Sequence, residues 1–139
     1  MMIVLDSNIL IAATNTDDSN AAACTDLVRK LKAEAYEIVA PATQLWEIAA
    51  YFNHPEKRKT HKNNMESSFT VRYHAVTQEL FLSTYSEAIT AIRGPDRIFV
   101  SLAKHLGVAL ITNDAQILKN ASLLGVRALR PQEFTAGGA

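Results

Sequence analysis

Cysteine is almost missing from this sequence: Cys24 stands alone among 139 residues. A lone thiol cannot form a disulfide within the chain, and no second cysteine is present to build a metal site, so the default setting is reducing and intracellular. Long apolar runs are missing too. None approaches the roughly 18 residues that suggest a membrane span, and the apolar start meets Asp6 too early for a secretory signal. The expected location is therefore the cytoplasm. Net charge is also absent, since 14 Lys and Arg balance 14 Asp and Glu. That balance argues against a broadly basic surface for gripping nucleic acid, though not against a local one. Repeats and low-complexity tracts are lacking as well. What remains is an ordinary globular composition, 48% hydrophobic and 20% charged, at a length that suits one domain with its own core. The expected division is a single domain over residues 1–134 and a flexible polar tail over 135–139, which contains Gly137 and Gly138.

Ile3-Val4-Leu5-Asp6-Ser7-Asn8 is the stretch around which the rest is organised. A short apolar run ending in a polar turn suits a strand covered on both faces, as in parallel sheets flanked by helices. Ile9 to Ala13 then read as a short helix, Asn15 to Asn20 as a loop, and Ala21 to Ala35 as a helix buried through Leu27, Val28 and Leu31. Glu37 to Ala40 form the second strand. Pro41 is placed to open the next helix, with Leu45, Ile48, Ala49 and Phe52 facing inward and Glu47 beside that stripe. Asn53 to Asn64, polar and basic, reads as an irregular connection. Val71 to Val76 suits an edge strand, and Thr77 a cap on a helix reaching about Ile92. Gly94-Pro95 opens another helix with Asp96 in its first turn, and Gly107 stops it. Val108 to Ile111 is the third clear strand, running into Thr112-Asn113-Asp114; a short helix and a strand at Val126 to Leu129 follow. Strands alternating with helices predict an α/β fold with a mostly parallel sheet.

Four carboxylates occupy matching places in this scheme: Asp6, Glu47, Asp96 and Asp114. Ligands of open parallel sheets bind beyond the carboxyl ends of the strands, where Asp6 and Asp114 leave the sheet together. Each acid alone has an ordinary explanation, such as helix capping for Asp6 and Asp114 or macrodipole stabilisation for Asp96. All four together form a cluster of like charges that is costly unless a cation neutralises it. Carboxylate and water ligands suit Mg²⁺ or Mn²⁺. Lys57, Arg58, Lys59, His61 and Lys62 form a basic cluster that reads equally as a solvated loop or a phosphate contact. His54, His61, His74 and His105 share no spacing that assigns them chemistry.

Val4-Leu5-Asp6-Ser7-Asn8, Trp46-Glu47-Ile48, the segment from Asp96 to Ala103, and Leu110-Ile111-Thr112-Asn113-Asp114 together resemble the PIN domain. In length the chain is most similar to the VapC toxins of prokaryotic toxin-antitoxin pairs. The resemblance, spanning Met2 to Phe134, implies a three-layer α/β/α sandwich and a metal-dependent endoribonuclease. It further implies that Asp6, Glu47, Asp96 and Asp114 hold Mg²⁺ or Mn²⁺, while Asn8 and Thr112 support the site or contact RNA. An antitoxin partner and a homodimer are implied as well. Trp46, Tyr51 and Phe52, near Glu47, offer that antitoxin an apolar receptor, although Trp46 and Phe52 also suit core packing.

Three rival readings remain open at the level of sequence. A phosphotransferase with Asp6 as nucleophile, in the manner of haloacid-dehalogenase-like enzymes, needs a second Asp two positions later, where this chain has Asn8. A non-catalytic RNA- or protein-binding module has no reason to keep four mutually repelling acids. A housekeeping RNA-processing nuclease would share the chemistry of a toxin and differ in its biological role.

Overall fold

The computed structural model describes residues 1–14, 18–51, 55–56, 59–60, 63, 70–85, 92 and 94–137. A parallel five-stranded sheet runs through its middle. The strands are β1 (Met2–Leu5), β2 (Glu37–Pro41), β3 (Val71–His74), β4 (Leu110–Ile111) and β5 (Ala128–Leu129), in spatial order β3-β2-β1-β4-β5. All four pairings are parallel, and β1 lies at the centre between β2 and β4. The strand order reverses direction at β1, the kind of switch point at which α/β sheets bind ligands.

Alternation along β1 explains the three layers. Successive side chains of a strand point to opposite faces, so Ile3 and Leu5 enter one core while Val4 enters the other. The first core is covered by α1 (Ser7–Thr14), α2 (Ala21–Ala33) and α3 (Gln44–Tyr51), through Ile9, Leu10, Leu27, Leu31 and Ile48. The second is covered by α4 (Gln78–Tyr85), α5 (Gly94–Leu106) and α6 (Ala115–Asn120), through Leu80, Phe99, Leu102 and Ile117. A 3-10 turn over Ala121–Leu124 follows α6, and α7 (Pro131–Gly137) closes the described chain. The expected α/β/α sandwich is therefore the observed one. Full burial of a large apolar side chain contributes about 1.5–3 kcal/mol, and Phe99 and Phe134, both fully buried, anchor opposite faces.

Several local expectations change. Pro41 ends β2, in register with His74, instead of opening a helix; α3 begins three residues later at Gln44. Gln44 and Ile48 form the buried face of α3, whereas Leu45, expected to point inward, is exposed. Phe52 lies outside the described residues. Helix α2 stops at Ala33, and Ala35 takes a positive φ of 56° as the chain turns into β2. In the stretch read as irregular, the described residues Pro55, Glu56, Lys59, Thr60 and Asn63 are helical; Pro55 is a residue that suits a first helical turn. Strands β4 and β5 are shorter than expected, with only Leu110–Ile111 and Ala128–Leu129 pairing. Thr135 to Gly137, expected in the tail, continue α7. The buried Phe134 holds this helix in place, edge-on to Tyr36 and with its carbonyl accepting from Lys30 Nζ at 3.1 Å.

The remaining caps follow the expected chemistry. Thr77 Oγ1 accepts from Leu80 N at 3.2 Å at the start of α4. Gly107 takes a φ of 67° after α5, a left-handed turn that costs glycine little.

Candidate active site

Asp6 is delivered by the central strand. Its amide donates to the Ile111 carbonyl at 3.0 Å, carrying the β1–β4 ladder one residue past the strand, and its carbonyl accepts from Ile9 N at 3.0 Å as α1 begins. The Asp6 side chain is buried, and its Oδ2 accepts from Thr112 Oγ1 at 2.7 Å. Thr112 leaves β4, is fully buried, and accepts in turn from Asp114 N at 2.9 Å. One hydroxyl thus ties the ends of the two neighbouring strands together. Asp114 caps α6, its Oδ1 accepting from Gln116 N and Ile117 N at 2.9 Å each. Glu47 stands in the first turn of α3, and Asp96 in the first turn of α5.

These four acids line one open cleft of about 530 Å³, together with Asp18 and Asn8. Ser7 and Tyr51 also face it. No described residue lining the cleft is basic. The electrostatic consequence appears at Asp6 and Glu47. Burial pushes Asp6 from 3.8 up to about 6; the Thr112 and Ser7 hydrogen bonds oppose the rise, and the charges of Asp96 and Asp114 add to it. Glu47 is raised first by burial, which the nearby Ser7 hydroxyl offsets in part, and then by Asp6 and Asp96. Ser7 Oγ completes no hydrogen bond of ordinary geometry, and Asn8 Oδ1 is likewise buried without a partner.

All four acids read from the sequence, with Asn8, therefore meet at the carboxyl end of the sheet, and Thr112 sits directly beneath Asp6. Asp18 was not anticipated. It lies in the turn before α2, where its Oδ1 accepts from Asn20 N at 2.8 Å; the only sequence signal was an acid two residues ahead of an asparagine at a helix start. His74 and His105 pack edge to face, 5.6 Å between ring centres, and do not line the cleft. His54 and His61 lie outside the described residues, as do Lys57, Arg58 and Lys62.

The donor chemistry suits a hard divalent cation. Among the described residues no three His, Cys, Asp or Glu side chains close into a metal cage. Mg²⁺ does not require one, because it commonly binds through one or two carboxylates and fills its shell with water and phosphate oxygens. An open cleft of repelling carboxylates matches that style of binding.

A central parallel sheet between two helical layers, with acids gathered at the strand ends, defines an α/β/α protein built around an acidic cleft. The PIN domain family model matches residues 3–123. The chain belongs to the PIN domain family, whose members are in general nucleases. Among solved structures, the fold is similar to that of VapBC2 from Rickettsia felis bound to a DNA fragment from their promoter. That match has a TM-score of 0.70 at 14% identity and covers 94% of this chain and 98% of the other. It is also similar to a PilT N-terminus domain protein from the hyperthermophilic archaeon Sulfolobus solfataricus P2, with a TM-score of 0.59 at 16% identity, covering 99% and 93%. No protein of curated function matches the sequence significantly. Among the described residues, no helix is long and apolar enough to cross a membrane.

Proposed function

We propose that this protein is a metal-dependent endoribonuclease and the toxin of a toxin-antitoxin pair. The observation that carries the reading is the cleft itself: Asp6, Glu47, Asp96 and Asp114, with Asp18, line one open cleft at the carboxyl end of the sheet. Asp6, Glu47, Asp96 and Asp114 would hold Mg²⁺ or Mn²⁺. A bound ion of this kind supplies a water of lowered pKa and neutralises charge that develops on the phosphodiester.

The protein's own residues account for the rest. Thr112 fixes the Asp6 carboxylate through a short hydrogen bond, and the buried hydroxyl holds Asp114 in step with it. Raised pKa values at Asp6 and Glu47 mean that both acids hold protons more tightly than free carboxylates until a cation or lower proton activity removes them. Asn8, at the cleft wall, stands where a ribose or phosphate group would pass. The products by this route carry a 5′-phosphate and a 3′-hydroxyl.

Support for a protein partner comes from α3. Leu45, Trp46 and Tyr51 are exposed there, Trp46 at 78%, beside the helix turn that bears Glu47. Apolar side chains exposed together mark interaction surfaces, and the similar R. felis structure is a VapBC2 assembly. We assign this surface to a cognate antitoxin, with a homodimer as the working assembly and the cytoplasm as its location.

The test is incubation of the purified protein with a structured RNA pool in Mg²⁺, Mn²⁺ or EDTA, followed by chemical mapping of the new ends. Metal-dependent cleavage leaving 5′-phosphates supports the reading. RNA binding without cleavage in any metal would replace it with the non-catalytic module. Growth arrest on expression without a partner distinguishes a toxin from a housekeeping nuclease, which would be harmless.

A further inference from the structure

We infer that Gln44 is a positioning residue for Asp6, supplying the strand hydrogen bond that Pro41 cannot make. The register of β1 and β2 pairs Met2 with Glu37, Ile3 with Ile38 and Val4 with Val39. Glu37 N donates to Met1 O at 2.8 Å, so the amides of residues 37, 39 and 41 face β1. The intervening amides face β3, as the bond from Ala42 N to His74 O at 2.9 Å shows. Continuing the ladder, the amide of residue 41 would donate to the carbonyl of Leu5. Residue 41 is proline and has no N–H. Leu5 O would be an orphan acceptor in the middle of the sheet, in the very peptide that joins Leu5 to Asp6.

Gln44 fills that gap. Its Nε2 donates to Leu5 O at 3.1 Å, and its side chain is fully buried. The other end of the amide, Oε1, is buried without a partner. A buried polar group left half satisfied is costly, so packing alone does not explain a glutamine here; a leucine or methionine would fill the space without the penalty. The donor end has a defined task, and reversing the amide would set oxygen against oxygen. The same contact sets the rotation of α3. With Gln44 and Ile48 turned inward, Glu47 is carried to the cleft and Leu45 is left exposed. One side chain therefore holds the peptide that carries Asp6 and phases the helix that carries Glu47.

The effect on rate rests on the nuclease reading, whereas the contact itself does not. The experiment compares wild type, Gln44→Met, Pro41→Ala and the double variant, by amide hydrogen exchange at Asp6 and Ser7 and by RNA cleavage in Mg²⁺. Gln44→Met keeps the volume and removes the donor; it is expected to speed exchange at these amides and to lower kcat by about a hundred-fold, the scale of a small misplacement of a reacting group, with KM little changed. Pro41→Ala restores a backbone donor to Leu5 O, so the double variant should recover both exchange protection and rate. Unchanged exchange in Gln44→Met, or a double variant no better than the single one, would overturn the inference. So would faster exchange with an unaffected rate, which would reduce Gln44 to a structural contact. A wild type that cleaves no RNA would sink the nuclease reading alone, because the exchange comparison still decides the contact.

Discussion

Replacing Asp6 with asparagine should make the metal-free protein more stable at neutral pH while removing its activity. Asp6 is 5% exposed, so little solvent screening reduces the effect. The rise from 3.8 to about 6 corresponds to about 3 kcal/mol at 1.36 kcal/mol per pH unit. Because the raised value belongs to the folded state, the folded protein holds this proton more tightly than the unfolded chain does. Below pH 3.8 both states are protonated and Asp6 costs nothing. As the pH climbs, the unfolded chain releases the proton first, and stability falls until the folded carboxyl has ionised above about pH 6. Asparagine retains an oxygen to accept from Thr112 Oγ1 and carries no charge. Thermal melts in EDTA should therefore show Asp6→Asn matching wild type near pH 3.5 and melting about 10 °C higher at pH 7.5, for a chain of this size. Saturating Mg²⁺ should narrow the gap at pH 7.5 by stabilising the wild type alone. A wild type as stable as the variant at pH 7.5 in EDTA, or a gap that does not change with pH, would refute the assignment of a buried, repelled carboxylate.

The neighbouring groups give further expectations. Thr112→Val removes a hydroxyl that both donates to Asp6 and accepts from Asp114 N, and should lower stability by about 1–3 kcal/mol in urea titrations. Asp114→Asn keeps a good helix cap, so it should unfold within about 0.5 kcal/mol of wild type yet lose metal-dependent cleavage; full cleavage would reduce Asp114 to a cap. Burial raises Glu47 from its ordinary value, so cleavage under single-turnover conditions should rise with pH as Asp6 and Glu47 ionise, and Glu47→Gln should lower the rate across the whole range. Trp46 is the one tryptophan in the chain and is largely exposed. Trp46→Ala should leave melting and cleavage unchanged while weakening antitoxin binding, and in the wild type its fluorescence should change when the partner binds.

Much of this architecture was legible because its signals are local. Three branched apolar residues ending at Asp6 could hardly be anything but a buried strand, and parallel topology then brings Asp6 and Asp114 to the same end of the sheet. Gly107 and Thr77 carried their turn and cap chemistry openly. Pro41 was ambiguous for a physical reason: a proline is equally acceptable in a first helical turn and at a strand end whose donor is replaced from elsewhere. The replacement comes from Gln44, a contact across 39 positions, and no periodicity within α3 reveals that it would turn Gln44 inward and Leu45 outward. Asp18 was missed because it sits in a polar loop with no apolar pattern to place it. No apolar period announces α7 in the sequence, because its order comes from the burial of Phe134 between Tyr36 and Lys30.

The most direct test of the central claim is the rate of RNA cleavage as Mg²⁺ is added to wild type, Asp6→Asn and Asp114→Asn, all confirmed as folded by their melts. Saturable Mg²⁺-dependent cleavage by the wild type, with both variants inactive at every concentration, is the predicted result. Equal rates in the three proteins, or cleavage that persists in EDTA, would show that the acidic cleft is not where the chemistry happens.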